Sequence, residues 1–312
     1  MAIREGGRHR GALAGRVLAL AVAAGALALA PAALGATIEV RPGPNALHKA
    51  LRNAHSGDTL RIHDGTYRES VSINKRVTLR GVGGRPTIDA RCDSRTTFLV
   101  NRGGFTLDHL RVVGAADGFG YPPSEIDIEQ IGSGTVHDVV VHNTCGPLGQ
   151  GAQYGINVFG SGAIEVSGNR ATGGFTDAGI YVGGISDTGG EALKVVNNAA
   201  FLNHQGIIIE NSDGNGIIQV AGNNAHDNTI DGVGEPASGI FISNSDRIRI
   251  RNNTVQSNGE FGVNIGPTSD HNRLVGNTIT QNPTDLNNEG SNNCGSGNTI
   301  GSRTGNPLSP CG

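Results

Sequence analysis

The sequence contains few of the residue patterns that mark metal or nucleic-acid sites. None of its four cysteines lies within four residues of another, which disfavours a structural zinc site. Lysine and arginine number 24 against 27 acidic residues, and a net acidic chain argues against nucleic acid and anionic membranes as partners. Its 50 glycines follow no three-residue period, which excludes collagen.

The chain does contain a repeated motif. In it, two apolar residues lie at alternate positions, and an asparagine follows three residues after the second of them. The successive asparagines are 29, 25, 30 and 24 residues apart. They are Asn169, Asn198, Asn223, Asn253 and Asn277. A second asparagine follows five residues after each of the last four, at Asn203, Asn228, Asn258 and Asn282. Self-similarity at a period of 20 to 50 residues is typical of a solenoid.

A second motif, out of phase with the first, places a β-branched pair after glycine, as in Gly155-Ile156-Asn157-Val158. Two alternating segments per period, separated by turn residues, predict strands and exclude helices over this region. The inward side chains should be Ile156, Val158, Ile180, Val182, Ile207, Ile209, Ile240 and Ile242. The pattern resembles the parallel β-helix of pectin-lyase-like proteins. The resemblance implies an all-β fold, a single right-handed parallel β-helix solenoid.

The repeated asparagines have a structural explanation. A turn residue repeated in register can hydrogen-bond its copies in the coils above and below, and asparagine tolerates the left-handed conformation that such corners require. We therefore predict asparagine ladders and assign these residues no catalytic role.

The predicted organisation has four parts. Residues 1–36 combine arginines, an apolar run and small residues at a cleavage site, which is typical of a secretory signal peptide. Residues 37–56 contain a short strand and a helix with Asn45 as its N-cap, which we expect to cap a monomeric solenoid. The β-helix should occupy residues 57–290, and residues 291–312 should form a C-terminal tail. Export predicts a periplasmic or secreted protein that no longer contacts the membrane after cleavage.

An even number of cysteines in an exported chain is usually bridged. Cys294 and Cys311 are close in sequence, so a local bridge would pin the last coil. Cys92 and Cys145 then remain as the second pair.

One strand stands out by its charge. Glu125, Asp127 and Glu129 alternate with two isoleucines, so we expect all three carboxylates to point outward, about 7 Å apart. Aligning the isoleucines of successive coils predicts an outward column beyond Asp127, which contains Asn157, Tyr181, Ile208, Phe241 and Asn264. Loops at 115–124 and 144–153 flank this strand, and long loops on a solenoid often carry the site.

Carboxylates, amides and rings together suit a polysaccharide ligand. Asp177 and His204 lie beside the column and Glu210 lies just past it. Hydrolysis would use Asp127 and Asp177 as paired carboxyls. Elimination from a uronate would use His204 or Tyr181 as the base.

In the elimination reading, the substrate carboxylate would be neutralised by Asn157 or by a calcium ion held by Glu125, Asp127 and Glu129. Calcium is the only cofactor that the residues suggest. Glu125, Glu129, Asn157, Phe241 and Glu210 would serve substrate binding in either case.

Three classes of function remain open, and the fold alone does not choose among them. The first is a carbohydrate-active enzyme, a lyase, hydrolase or epimerase, although the compact signatures of the family's enzymes are absent. The second is a polysaccharide-binding module without catalysis. The third is an envelope protein resembling the β-helix subunit of the nitrous oxide reductase maturation system, which the single methionine, Met1, disfavours.

Overall fold

The computed structural model describes residues 35–118, 122–146, 151–186, 192–213, 218–229 and 236–311. The predicted signal peptide lies almost wholly outside these residues. Strands make up 54% of the described residues and helix 3%, which confirms the expected all-β class. The strands, numbered β1 to β32 in chain order, form three parallel sheets that wind together as a β-helix.

Sheet A, as we name it, has twelve strands within the described residues. In order they are β1 (Thr37–Val40), β2 (Thr59–His63), β5 (Val77–Val82), β8 (Phe105–Asp108), β11 (Ser133–His137), β14 (Ala163–Ser167), β17 (Leu193–Val196), β20 (Ile218–Ala221), β23 (Arg249–Arg251), β26 (Arg273–Val275), β29 (Cys294–Ser296) and β32 (Ser309–Pro310). From β2 onward, neighbours in this order are three strands apart along the chain, as one strand per coil requires.

Sheets B and C have ten strands each in the described part of the chain. Sheet B contains β3 (Thr66–Tyr67), β6 (Thr87–Ser94), β9 (Arg111–Ala115), β12 (Val140–His142), β15 (Arg170–Thr172), β18 (Ala199–Phe201), β21 (Asn224–His226), β24 (Thr254–Gln256), β27 (Thr278–Thr280) and β30 (Thr299–Ile300). Sheet C contains β4 (Val71–Ile73), β7 (Thr96–Val100), β10 (Ser124–Glu129), β13 (Tyr154–Phe159), β16 (Ala178–Gly183), β19 (Gln205–Glu210), β22 (Ser238–Ser243), β25 (Phe261–Ile265), β28 (Thr284–Asn288) and β31 (Arg303–Gly305).

The core is a continuous column of aliphatic side chains inside the three sheets. All eight residues predicted to face inward have no exposed surface, which confirms the register. At about 25 cal/mol per Å² of buried apolar surface, this column supplies most of the driving force for folding.

Helix α1 (Ala46–Asn53) buries Leu47 and Leu51 in the same core, as predicted for a cap. Asn45 is the N-cap residue, as predicted, but its side chain does not cap the helix. Asn45 adopts a left-handed conformation, with φ 52°, and its side chain makes no capping hydrogen bond. The Glu69 carboxylate does so instead, accepting hydrogen bonds from the backbone N–H groups of Leu47 and His48, both at 2.9 Å. A carboxylate at the positive end of the helix dipole stabilises the helix further.

The asparagine ladders are confirmed. In the first ladder, from Asn198 onward, each side-chain oxygen accepts from the backbone N–H and the Nδ2 of the asparagine one coil earlier, for example Asn223 from Asn198 at 2.9 and 3.0 Å. The ladder asparagines are not the left-handed residues, however. Positive φ occurs one residue earlier, as at Asn197 (56°) and Gly222 (64°).

The second ladder explains the repeated glycine. A Cβ at Gly206 would lie 2.8 Å from the Nδ2 of Asn228, and one at Gly179 would lie 2.7 Å from that of Asn203. The ladder asparagine and the glycine therefore lie at the same corner of the coil, where a larger residue than glycine would contact the asparagine side chain.

The C-terminal residues do not form the separate tail that the sequence predicts. Strands β29 to β32 pair in register with the preceding coils, so the β-helix continues to Pro310. Few apolar residues mark these coils, but Asn293 and Asn298 continue the hydrogen-bond ladders there. The predicted Cys294–Cys311 disulfide is present, with a Cα–Cα distance of 5.0 Å.

Candidate functional site

The predicted outward column lies on sheet C. Asp127 pairs with Asn157, Asn157 with Tyr181, Tyr181 with Ile208, and the column continues as expected through Phe241 and Asn264. Because the inward neighbours fill the core, these side chains lie on the outer face of the sheet. The register is therefore confirmed across this surface.

A pocket of about 250 Å³ opens on this face, over β10, β13 and β16. Its walls combine three aromatic rings with one carboxylate, one amide and a proline from the loop before β10. The lining residues are Pro122, Glu129, Tyr154, Asn157, Phe159 and Tyr181. Of these, the sequence predicts Glu129, Asn157 and Tyr181 as site residues.

The aromatic wall is held in place by its polar ends. The rings of Tyr154 and Tyr181 lie 4.6 Å apart between centroids and are tilted by 35°. The Tyr154 hydroxyl donates to the Asp177 carboxylate at 2.8 Å, and the Tyr181 hydroxyl donates to Glu210 at 2.7 Å. Phe159 completes the wall and is 46% exposed. The pocket therefore offers fixed ring surfaces, with the carboxylates orienting the rings.

An outer apolar cluster supports this wall. Ala178 and Ile208 are buried against Tyr154 and Tyr181, and the half-buried Phe241 packs against the same group. Phe241 and Glu210 thus support the pocket without lining it.

Asp127 lies beneath the pocket and has no exposed surface. Asn157 Nδ2 donates to its Oδ1 at 2.8 Å, and an Arg95 guanidinium nitrogen lies 2.7 Å from its Oδ2. Burial raises the pKa of Asp127 to about 7, and the neighbouring Glu129 carboxylate adds to the rise, while Arg95 and Asn157 oppose it. Asp127 therefore lies on the predicted outer face, but it is buried there because Arg95 from the preceding coil covers it.

Glu125 does not point outward. It lies opposite Gly155, in the glycine column at the corner of the coil, and its side chain is fully buried. Its Oε2 accepts hydrogen bonds from the Thr97 hydroxyl at 2.8 Å and from the Ala115 N–H at 3.2 Å. Burial raises the pKa of Glu125 to about 8. Glu125 is therefore a protonated interior acid at neutral pH, and its assignment to substrate binding is wrong.

The calcium hypothesis is also wrong, because the three carboxylates do not converge on one site. Glu125 turns into the corner, Asp127 is paired with Arg95, and Glu129 alone reaches the pocket. Across the described residues no three histidine, cysteine, aspartate or glutamate side chains converge to hold a metal ion.

The paired-carboxylate hypothesis also fails on geometry. Asp177 and Asp127 lie two coils apart, about 10 Å at the usual strand spacing, and the register offsets them by four residues, about 13 Å more along the strand. Glycosidase carboxyls lie roughly 5–9.5 Å apart. Asp177 instead orients Tyr154, and His204 is only 2% exposed just before β19.

The two predicted loops meet beside the pocket. Ala116 and Gly151 form an antiparallel bridge between them, and the predicted Cys92–Cys145 disulfide, with a Cα–Cα distance of 5.5 Å, anchors the second loop to β6. Residues 119–121 and 147–150 of these loops lie outside the described residues.

Comparison with known proteins identifies the family. The family model described as periplasmic copper-binding protein (NosD) matches residues 124–303, more than half of the chain. The chain belongs to the NosD family. No curated protein matches the chain. Within the described residues of this NosD-family chain, no helix has both the length and the apolar character needed to cross a membrane.

Solved structures show the same fold at low identity. The A-module of the mannuronan C-5 epimerase AlgE4 from Azotobacter vinelandii is 17% identical with a TM-score of 0.53, covering 78% of this chain and 74% of that one. The pectate lyase Pel9A is 15% identical with a TM-score of 0.51, covering 86% and 78%. These likenesses establish the parallel β-helix and leave the chemistry to the site.

The residues of this NosD-family chain do not fit the copper of the family's description. All four cysteines are in disulfides, and the one methionine is Met1. Soft thiolate and thioether ligands are the usual choice for copper(I), and none is available in the described ranges. We derive no copper chemistry for this chain.

Sequence reasoning missed Tyr154, Phe159, Pro122 and Arg95. Phe159 could have been found, because it aligns with Glu129 in the predicted register. Arg95 carried no such signal, since its partner is a carboxylate on the next coil.

Proposed function

We propose that this protein is exported and binds a polysaccharide along the outer face of sheet C, with one sugar ring in the pocket over Asn157. The observation that carries the proposal is the pocket itself, with fixed aromatic faces beside an amide and a carboxylate. Aromatic faces pack against the apolar faces of sugar rings, while polar groups at the edge hydrogen-bond the hydroxyls.

Asn157 is suited to accept a hydrogen bond from a sugar hydroxyl. Its Nδ2 is committed to Asp127, which fixes the orientation of the amide. Its Oδ1 accepts no hydrogen bond from the described residues. A hydroxyl donor from a ligand would satisfy this buried acceptor, and satisfying a buried polar group stabilises the complex.

The dimensions support a polymer that passes through the site. A volume of about 250 Å³ is just below the ~300–1,000 Å³ typical of drug-sized ligands, so the pocket suits one or two sugar units. Neighbouring coils extend the face on both sides, as expected of a solenoid's continuous binding surface. The structural neighbours named as an epimerase and a lyase act on polysaccharides, which agrees with this choice.

Export is supported by three observations. The family is described as periplasmic, two disulfides indicate an oxidising compartment, and the N-terminal segment reads as a signal peptide.

Binding is a better fit than turnover. Among the described residues, Glu129 is the one carboxylate that lines the pocket, and the two-carboxylate chemistry of glycoside hydrolysis has no second partner there. We therefore assign binding as the function, with the release of reducing or unsaturated ends as the assay that would reveal catalysis.

Replacing Phe159 with alanine should weaken polysaccharide binding about tenfold, which corresponds to ~1.4 kcal/mol. Phe159 is 46% exposed, so its removal costs the fold little while it deletes one wall of the pocket. Affinity electrophoresis against a polysaccharide panel, followed by calorimetry on the best ligand, measures the change.

Leu202→Ala is the matched control, because Leu202 is similarly exposed, at 50%, and lies on another part of the coil. Its affinity should equal that of the unmodified protein. Equal losses in both variants, or no loss in Phe159→Ala, would place binding elsewhere on the surface.

A further inference from the structure

The middle of the chain is strongly acidic. Between residues 112 and 246 there are fifteen acidic residues and two basic ones, Arg170 and Lys194. This segment supplies sheet C from β10 to β22, and therefore the whole pocket. Any cation that assists a ligand there must come from one of these two residues or from another part of the chain.

Neither basic residue of the segment serves the pocket. The Arg170 guanidinium lies 4.3 Å from the centre of the Phe201 ring, on the sheet B side of the coil. Lys194 lies in β17 of sheet A, where its Nζ is 3.3 Å from Glu165. Both are held on faces other than sheet C.

Arg95 is a cation beside the pocket, and it is already engaged. Its guanidinium lies 2.7 Å from Asp127 and 3.6 Å from Glu129, and its side chain is 20% exposed. No lysine or arginine lines the pocket among the described residues. The segments 119–121, 147–150, 187–191, 214–217 and 230–235 contain no lysine, arginine or histidine, so the sequence adds no cation there.

The charge that a ligand meets is therefore negative. Glu129 lines the pocket with a side chain that is 41% exposed. The Asp177 and Glu210 carboxylates accept hydrogen bonds from the tyrosine hydroxyls of the pocket wall. A sugar carboxylate would approach Glu129, whose neighbouring cation, Arg95, is already shared with Asp127, and like charges at such short range repel. Hydroxyl groups carry no such penalty and can donate to Glu129 and Asn157.

We propose that the pocket selects neutral sugars and rejects uronates. This inference rests on the proposed function, since it names the class of polysaccharide for the same site. It also separates this chain from the structural neighbours named for mannuronan and pectate.

The test is calorimetric titration of the exported chain, at low ionic strength, with neutral and uronate hexasaccharides. The neutral probes are the hexamers of β-1,4-glucose, β-1,3-glucose, α-1,4-glucose and β-1,4-xylose, and the uronate probes are hexagalacturonate and hexamannuronate. We expect at least one neutral hexamer to bind ten times more tightly than either uronate. A uronate that binds as tightly as the tightest-binding neutral hexamer overturns the selectivity, while it leaves the pocket assignment intact.

Two variants locate the effect. Glu129→Gln should raise the affinity for the uronate hexamers at least threefold. Glu165→Gln is the matched control, because its side chain is also 41% exposed and also pairs with a cation, but on sheet A. Equal uronate affinities in both variants would contradict a role for Glu129. Absence of binding to all six hexamers would overturn the proposed function, and the selectivity with it.

Discussion

Replacing Asn223 with alanine should lower the free energy of unfolding by about 3–5 kcal/mol. The Asn223 Oδ1 accepts from the backbone N–H and Nδ2 of Asn198, and its Nδ2 donates to the Val195 carbonyl and to Asn253. Asn223 is 1% exposed, so water cannot replace these partners, and each orphaned group costs about 1–3 kcal/mol. Urea denaturation followed by circular dichroism measures the loss as a lower midpoint at constant slope.

The adjacent Asn224 provides the control. It is exposed in β21, and the same substitution there should change the unfolding free energy by less than about 0.5 kcal/mol. Similar losses at both positions would show that the asparagine composition of the corner, rather than the ladder, sets the stability.

The second large effect concerns Glu125 and the dependence of stability on pH. The pKa of Glu125 is about 8 in the folded chain against an ordinary value of 4.5. The folded state therefore holds the proton more tightly than the unfolded state. This stabilisation is complete below pH 4.5 and is lost as pH rises towards 8, at up to ~1.4 kcal/mol per pH unit.

Asp127 adds to the loss at lower pH. Its pKa is raised to about 7 in the folded chain, so its contribution has the same sign and ends near pH 7. Above pH 7 most of the Asp127 contribution is already lost, so Glu125 accounts for most of the change from pH 7 to 8. In Glu125→Gln the amide oxygen can still accept from Thr97 and Ala115, while no proton is lost, so the variant should be the more stable protein at pH 8.

Urea midpoints at pH 6, 7 and 8 provide the measurement. We expect the unmodified protein to lose stability from pH 7 to 8 and Glu125→Gln to lose far less. Glu165→Gln, which removes a partly exposed carboxylate on sheet A, should follow the unmodified protein. Parallel pH profiles for Glu125→Gln and the unmodified protein would contradict the assignment of a protonated interior acid.

The sequence predicts this fold well, because the same pattern of apolar and turn residues recurs in every coil of a solenoid. The alternation of isoleucine with polar residues fixes the register, so the Asp127, Asn157 and Tyr181 column is correct although no single coil would specify it. Periodic asparagines predict their ladders for the same reason. At the C-terminus few apolar residues repeat, so the sequence pattern does not predict the last coils. Strand pairing and the ladder hydrogen bonds of Asn293 and Asn298 hold these coils instead.

The site is less predictable because its environment comes from long-range contacts. Strict alternation would send Glu125 outward, but Glu125 occupies the corner that glycine takes in the next coil, where the chain turns inward. Asp127 does lie on the predicted face, yet Arg95 from the preceding coil covers it. Neither outcome is visible in the period-two pattern.

The most direct test of the central claim is a crystal structure of the protein with the hexasaccharide that binds it most tightly. The account predicts one sugar ring packed against Phe159 and the tyrosine wall, with a hydroxyl donating to the Asn157 Oδ1. A bound oligosaccharide lying on the outer face of sheet A or sheet B, with the pocket over Asn157 free of sugar, would contradict it.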